Sequence, residues 1–396
     1  MNGNGTIRPL DGLRVVELGQ FIQAAYCTRL LADLGAEVVK VEPPEGDPAR
    51  RYGPFRSDDP GALSGLHAYL DSGKKSAVAD LGTDEGLRRV RALAASADIF
   101  VTNLSVTRRR QIGLTSEVLR EDSPGLISVA LSVFGETGPW SELPAEDIQA
   151  QAMSGIAWTI GEPNRPPLII PYFQGDFQAG AHGAAAALAA LLGSTEGRGA
   201  SIDIASADVL AAAAGTNALI YLYYGRQRWE RAGNRAYASG GPYPYVILPC
   251  KDGSVCLIGR TQLEWQRLTE AMGKPDWTRE ERYNDLNAMG QNYPEEVDRL
   301  IIPWLANHTR AELSRMAAEG GFALGPLKRM SEVVADPQFR AREFFRPMEG
   351  EANAELPSRP YMFSGFDLNT AALPPALGQH TAEVFGAPAE RTEAAR

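Results

Sequence analysis

The chain of 396 residues is poor in the side chains that bind metals and form disulfides, with three cysteines and four histidines. Cys27, Cys250 and Cys256 form no CxxC pair, and His67, His182, His308 and His380 lie far apart. That scatter argues against a structural zinc site or a disulfide framework, so no metal is expected. Long apolar runs are also missing. The best candidate, around Ala181–Leu192, is alanine-rich and too short to span a bilayer, so no membrane partner is expected. A basic excess is absent too: the formal net charge is −10, which sets nucleic acid and anionic membranes aside as main partners. Met1 to Pro9 show no charged-then-apolar leader pattern, which points to the cytoplasm.

What is present is the balance of a globular protein, 44% hydrophobic and 22% charged. At about 150 residues per domain the length allows two or three domains. Leu13–Leu18 reads as a buried strand, Ala24–Leu34 as a helix closed by Gly35, and Glu37–Glu42 as a second strand. Strand, helix, glycine, strand is a βαβ unit with parallel strands. Further strands at Ser76–Leu81, Asp98–Thr102 and Leu126–Leu131, with a helix at Gly86–Ser96, predict an open α/β sheet. Glu42 stands where a ribose-binding acid would stand in a dinucleotide fold. The turn after the first strand, Gly19 to Ala24, lacks G-x-G-x-x-G, so nicotinamide binding is rejected and the fold class kept.

Gly175–Leu192 reads as a loop leading into a small-residue helix, of the kind that packs closely on a neighbour. Ser201–Ile204 is a strand, and Ala205–Tyr224 is helical up to Gly225. The stretch Arg226–Pro244 reads as a linker into a smaller region. There Tyr245–Cys250 and Ser254–Ile258 form a hairpin, followed by helices carrying Trp265, Trp277 and Trp304. From about Gly325 the chain reads as loops and short elements.

Asp176 stands just before the alanine-rich helix. Taken alone it reads first as an N-cap, worth about 1 kcal/mol, whose ionised form the helix start favours. An ionised carboxylate held there is also able to attack an activated acyl carbon. Glu146 and Asp147 read as a solvated helix start or as a second acid or base facing Asp176. Arg50, Arg51 and the run Arg108 to Arg110 follow predicted strands, where ligands of open α/β sheets bind, and suit phosphates. A solvated helix face explains the run equally well. Arg165–Phe173 and Tyr221–Tyr224 read as pocket, core or dimer interface.

Taken in order, several segments resemble the family III CoA-transferases (CaiB/BaiF type), the group of formyl-CoA, carnitine and bile-acid CoA-transferases and α-methylacyl-CoA racemase. They include Pro9–Glu17 (PLDGLRVVE), Leu31–Pro44 (LADLGAEVVKVEPP), Gly73–Ser76, Asn103-Leu104, Phe134–Pro139 (FGETGP) and Gln151–Gly155. Gly175-Asp176, Gly197–Gly199, Arg231–Arg235, Gly325-Pro326, Asp336–Gln338 and Leu377–Thr381 continue the series across nearly the whole chain.

The resemblance implies a Rossmann-like large domain with an open, mostly parallel sheet formed by residues 1–225 and 326–396. It also implies a smaller α+β domain over 226–325, and an interlocked homodimer. It implies acyl-CoA and a carboxylic acid as substrates, with coenzyme A carried between them and no metal or redox cofactor. Asp176 would be the catalytic carboxylate, forming a mixed anhydride and then an aspartyl-CoA thioester. Phe21, Ile22, Gln23, Lys40, Asn103, Leu104, Arg108 and Arg109 would contact CoA. Gln111 takes a place where the family often has Arg. Glu146 takes the place of a racemase His, which favours transfer over racemisation by an Asp176–Glu146 acid/base pair. A non-catalytic CoA-binding protein on the same fold is the remaining alternative.

Overall fold

A computed structural model describes residues 8–55, 62–194, 197–225, 231–236, 241–348, 354–366, 368 and 372–386. Contacts divide the chain into two compact units: Met1–Met153, Pro171–Ala212 and Pro337–Arg396 in one, Ser154–Ile170 and Ala213–Asp336 in the other. These bounds assign residues 154–170, 213–225 and 326–336 to the second unit, where the sequence suggested the large domain. Of the expected linker, 226–230 and 237–240 lie outside the described residues.

In the first unit the chain alternates strand and helix: β1 (Arg14–Leu18), α1 (Gln23–Asp33), β2 (Glu37–Glu42), α2 (Gly65–Asp71), β3 (Lys75–Val78), α3 (Asp84–Ala95) and β4 (Ile99–Thr102). It continues with α4 (Val106–Ile112), α5 (Ser116–Asp122), β5 (Ile127–Ser132), α6 (Asp147–Met153), α7 (Gln174–Gly193) and β6 (Ala200–Ala205). The six strands form one parallel sheet in the order β3-β2-β1-β4-β5-β6. Order reverses between β1 and β4, so the crevice where such sheets bind ligands opens beyond Leu18 and Thr102.

Side chains alternate across the sheet. Val16, Leu18, Val39 and Val41 pack with α3 and α5, while Val15 and Val38 pack with α1 and α7. Glu17 and Lys40, neighbours in register on β1 and β2, break the apolar pattern. The small-residue helix does pack closely. A Cβ at Gly180 would lie 2.8 Å from the Gln23 carbonyl oxygen, so only glycine lets α7 approach α1 this far. That approach brings the starts of the two helices together.

Helix α8 (Ser206–Ala213) ends the first unit's segment at Ala212, and the second unit holds α9 (Gly215–Tyr224) and the hairpin β7 (Tyr245–Cys250) and β8 (Gly253–Ile258). The helical stretch expected over 205–224 is thus two helices, and α9 ends at Gly225 in the left-handed conformation. A third strand, β9 (Ala323–Pro326), pairs antiparallel with β8. Its core is built around Trp265, Tyr243, Leu248, Leu257, Ile301 and Leu313. Among the described residues no helix is long and apolar enough to cross a membrane.

Candidate active site

Two loops at the β1/β4 crevice are tied to each other. The Asn103 side chain accepts the Gln20 N–H at 2.8 Å and donates to the Gln20 carbonyl at 2.7 Å. Phe21 then takes a left-handed conformation, φ 63°, and its N–H donates to both oxygens of Asp47 at 3.2 Å. α1 starts two residues later, with Gln23 buried at its first turn.

Across the crevice, α7 also begins from strained backbone: Tyr172 and Phe173 have φ of 66° and 54°. Left-handed aromatic residues are uncommon and cluster where the surroundings fix a functional geometry. The Phe173 ring meets that of Phe21 edge-on at 5.2 Å. Phe173, not Asp176, is the N-cap residue of α7, so Asp176 lies within the first helical turn. The Asp176 N–H donates to Asp147 Oδ1 at 3.2 Å, and Gln151 donates to Asp147 Oδ2 at 2.6 Å. A Cβ at Gly175 would lie 2.5 Å from Asp147 Oδ1, which is why glycine precedes the aspartate here.

Asp176 is therefore not the capping side chain the sequence suggested. The residue is 7% exposed, and its Oδ1 accepts a hydrogen bond from the Gln23 side-chain amide at 2.8 Å. Burial pushes its pKa up to about 7; Gln23 pulls it down, and Asp147 and Glu146 push it up further. The preference for the ionised form expected at a helix start is overturned, because desolvation outweighs the Gln23 hydrogen bond and, among the described residues, no cation offsets it.

A cavity of about 300 Å³ joins these groups, lined among others by Phe21, Ile22, Gln23, Asn103, Arg109, Glu146 and Asp176. Glu146 is exposed and Asp147 buried, so only the second is built into the helix start. Arg109 is buried, pairs with Glu136, and donates from Nε to the Leu104 carbonyl at 3.0 Å. Arg109 lines the cavity with Glu136 beside it, so its charge is already partly matched before any anionic ligand arrives.

The other expected ligand contacts lie elsewhere. Leu104 packs into the core on the α3 side, and Arg108 is exposed, donating to the Leu81 carbonyl at 3.4 Å. Lys40 is fully buried and meets Glu17 at 3.1 Å, Asp47 at 2.8 Å and Asp71 at 3.1 Å, so its ammonium faces carboxylates rather than the cavity. Arg50 grips Glu42 through two bonds of 2.6 and 2.7 Å, Arg51 donates to the Glu45 carbonyl, and Arg110 pairs with Glu142. Glu42 is likewise an internal acceptor. Sequence reasoning passed over Glu136, Trp140 and Asp47. Glu136 lies within the quoted FGETGP segment without being singled out, and Asp47 carried the signal of an Asp directly before Pro48, the pattern of a helix cap. Among the described residues no group of His, Cys, Asp or Glu is arranged to hold a metal ion.

The family model for CoA-transferase family III matches residues 10–381. The chain belongs to CoA-transferase family III. As a member of that family it is an enzyme of the CoA-transferase class. A succinyl-CoA–D-citramalate CoA-transferase of Chloroflexus aurantiacus is 35% identical over 96% of this chain and 93% of its own length. A succinate–glutarate CoA-transferase of Agrobacterium fabrum is 33% identical over 95% of each chain. The crystal structure of a CaiB/BaiF family protein from Brucella suis superposes with a TM-score of 0.86 at 31% identity, covering 95% of this chain and 98% of that one.

Proposed function

We propose that this CoA-transferase moves CoA from succinyl-CoA to a small dicarboxylic acid through a covalent thioester on Asp176. The two relatives, one named for succinyl-CoA and D-citramalate and the other for succinate and glutarate, support the substrate class. The observation that carries the mechanism is Asp176 itself: buried in the cavity, held at one oxygen by Gln23, and poised near neutral pH.

The steps follow from that placement. The free Oδ2 of ionised Asp176 attacks the donor thioester carbon. The C–S bond breaks, giving a mixed anhydride and CoA thiolate. The thiolate attacks Cγ of Asp176, expels the donor carboxylate and leaves an aspartyl-CoA thioester. The acceptor carboxylate attacks Cγ in turn and releases thiolate, which takes the acceptor acyl group and frees Asp176. No proton is consumed. The Gln23 amide, already on Oδ1, is placed to follow that oxygen as it becomes the carbonyl and gathers charge in each tetrahedral species. Burial that disfavours the anion also favours the neutral anhydride and thioester, so one environment serves both the nucleophile and its acylated forms.

The proposal includes a homodimer in the cytoplasm. Tyr221, Leu222, Tyr223 and Tyr224 on α9 are 58–83% exposed, an apolar surface that a second copy would cover.

The test is product analysis by mass spectrometry after mixing the protein with succinyl-CoA and four- and five-carbon dicarboxylates. New acyl-CoA with wild type and none with Asp176→Ala is expected. Transfer by Asp176→Ala would overturn the nucleophile. Deuterium uptake at an α-carbon without transfer would favour the Asp176–Glu146 racemase reading instead.

A further inference from the structure

Beneath the Phe21 loop lies a cluster of charges that the chemistry above does not use. Glu17, Lys40, Asp47, Asp71 and Lys74 are all buried. Lys40 meets Glu17, Asp47 and Asp71, and Lys74 meets Glu17 and Asp71 at 2.9 Å each. Burying this many charges is costly, and a packed apolar core of equal volume would serve stability as well or better. The cluster touches α1 through Lys74, which donates to the Ala25 carbonyl at 2.8 Å, and through Thr28, which donates to Glu17 at 2.6 Å, and it reaches the Phe21 loop through the Asp47 carboxylate.

Asp47 caps the turn Pro48–Arg51 by accepting the Ala49 N–H at 2.7 Å, which alone would be an ordinary structural duty. Its two oxygens also share the Phe21 N–H, and Oδ2 is gripped by Lys40. Its own N–H donates to Glu42 at 3.0 Å, so the residue is fixed on every side. Phe21 is the strained residue of the loop, and a bulky side chain leaves the left-handed conformation unless something holds it. Two positions on, the Gln23 side chain makes the hydrogen bond to Asp176.

We propose that Asp47 is a positioning residue for the nucleophile: braced by the buried charge cluster, it holds Phe21 in the left-handed conformation and so aims the Gln23 amide at Asp176. The proposal rests on the reading of Asp176 as nucleophile, and it adds that the precision of the site is set by a carboxylate that touches neither substrate nor nucleophile.

The experiment is an infrared titration of Asp176 in the free, full-length protein. The signal is isolated by subtracting the matching Asp176→Asn protein, in wild type, Asp47→Asn and Asp33→Asn backgrounds. The groups facing Asp176 are Gln23 from α1, Asp147 from α6 and Glu146 just before it. In Asp47→Asn the Gln23 donation weakens while burial and the two carboxylates remain, so the midpoint moves up by about one unit. Turnover falls by roughly 10- to 100-fold with KM little changed. Asp33→Asn removes a buried pair with Arg29 (2.6 Å) at the far end of α1, and it should lower stability without moving the midpoint. A folded Asp47→Asn protein with an unmoved Asp176 midpoint overturns the proposal. If that variant does not fold, hydrogen exchange at the Phe21 amide of wild type decides: protection matching the α1 core is expected, and fast exchange overturns the hold. Because the titration needs no substrate, a wild type that transfers nothing would sink the proposed reaction without deciding this result.

Discussion

Asp71 and Asp176 are both buried carboxylates of the same unit, and their environments drive them in opposite directions. Burial alone would push both up. At Asp71, Lys40, Lys74 and His67 outweigh that cost and hold its carboxyl well below the usual range. At Asp176 burial is opposed by one side-chain amide and reinforced by Asp147 and Glu146, and the pKa rises to about 7. Lys40 in turn stays charged: burial pulls it down, but Asp71, Glu17 and Asp47 raise it well above its ordinary value. Two buried cations, Lys40 and Lys74, thus stand against Asp71, whereas among the described residues no ion pair to Asp176 is formed and the buried Arg109 of its cavity pairs with Glu136. The carboxylate paired with ammonium groups is held as an anion; the one given an amide titrates near neutrality, which is what the proposed acyl transfer asks of it.

The sharpest way to break this contrast is Asp176→Ala. Transfer should fall by a factor on the order of 10³ or more, with circular dichroism unchanged. Removing a cation from the other setting acts on the fold instead. Lys40→Met leaves Glu17, Asp47 and Asp71 facing one another, and denaturant unfolding should show a loss of about 3–5 kcal/mol. A loss below about 1 kcal/mol would mean that the cluster is not held together by its charges.

Asp176→Asn tests the other side of the comparison through pH. The raised folded-state pKa means that, from about pH 4 upward, the unfolded chain ionises Asp176 while the folded protein resists. Wild-type stability is thus eroded as pH rises toward 7, and the amide escapes that erosion. The variant should be more stable than wild type at pH 8, by up to about 4 kcal/mol, with the gap closing toward pH 4. Thermal melts at several pH values check this, and a variant no more stable at pH 8 would deny the strained carboxylate. The smallest effect is expected at Glu146→Gln. Glu146 is exposed, its repulsion is screened, and transfer should stay within a few-fold of wild type.

The sheet was legible because its strands are short apolar runs closed by glycine or polar turns, and Glu37–Glu42 matches residue for residue. Lys40 and Glu42 were legible as strand residues but not in their roles, since their partners Asp71, Asp47 and Arg50 come from later loops and helices. Strand β9 was not read, being four residues that include glycine and proline. At the candidate site, Asp176 stood out in the sequence, but its depth and its raised pKa did not. Those depend on Gly180 letting α7 close on α1 and on Asp147 occupying the helix-start amide, which are contacts between distant segments. Asp47 was passed over because its contact to Phe21 is with a loop that precedes it in the chain.

The most direct test of the account is to trap the acylated enzyme. The protein is incubated with succinyl-CoA, quenched with hydroxylamine and digested for peptide mass spectrometry. The account expects a hydroxamate at Asp176 and at no other carboxylate, Asp71 and Asp147 included. An unmodified Asp176 in a sample that is turning over succinyl-CoA would contradict it.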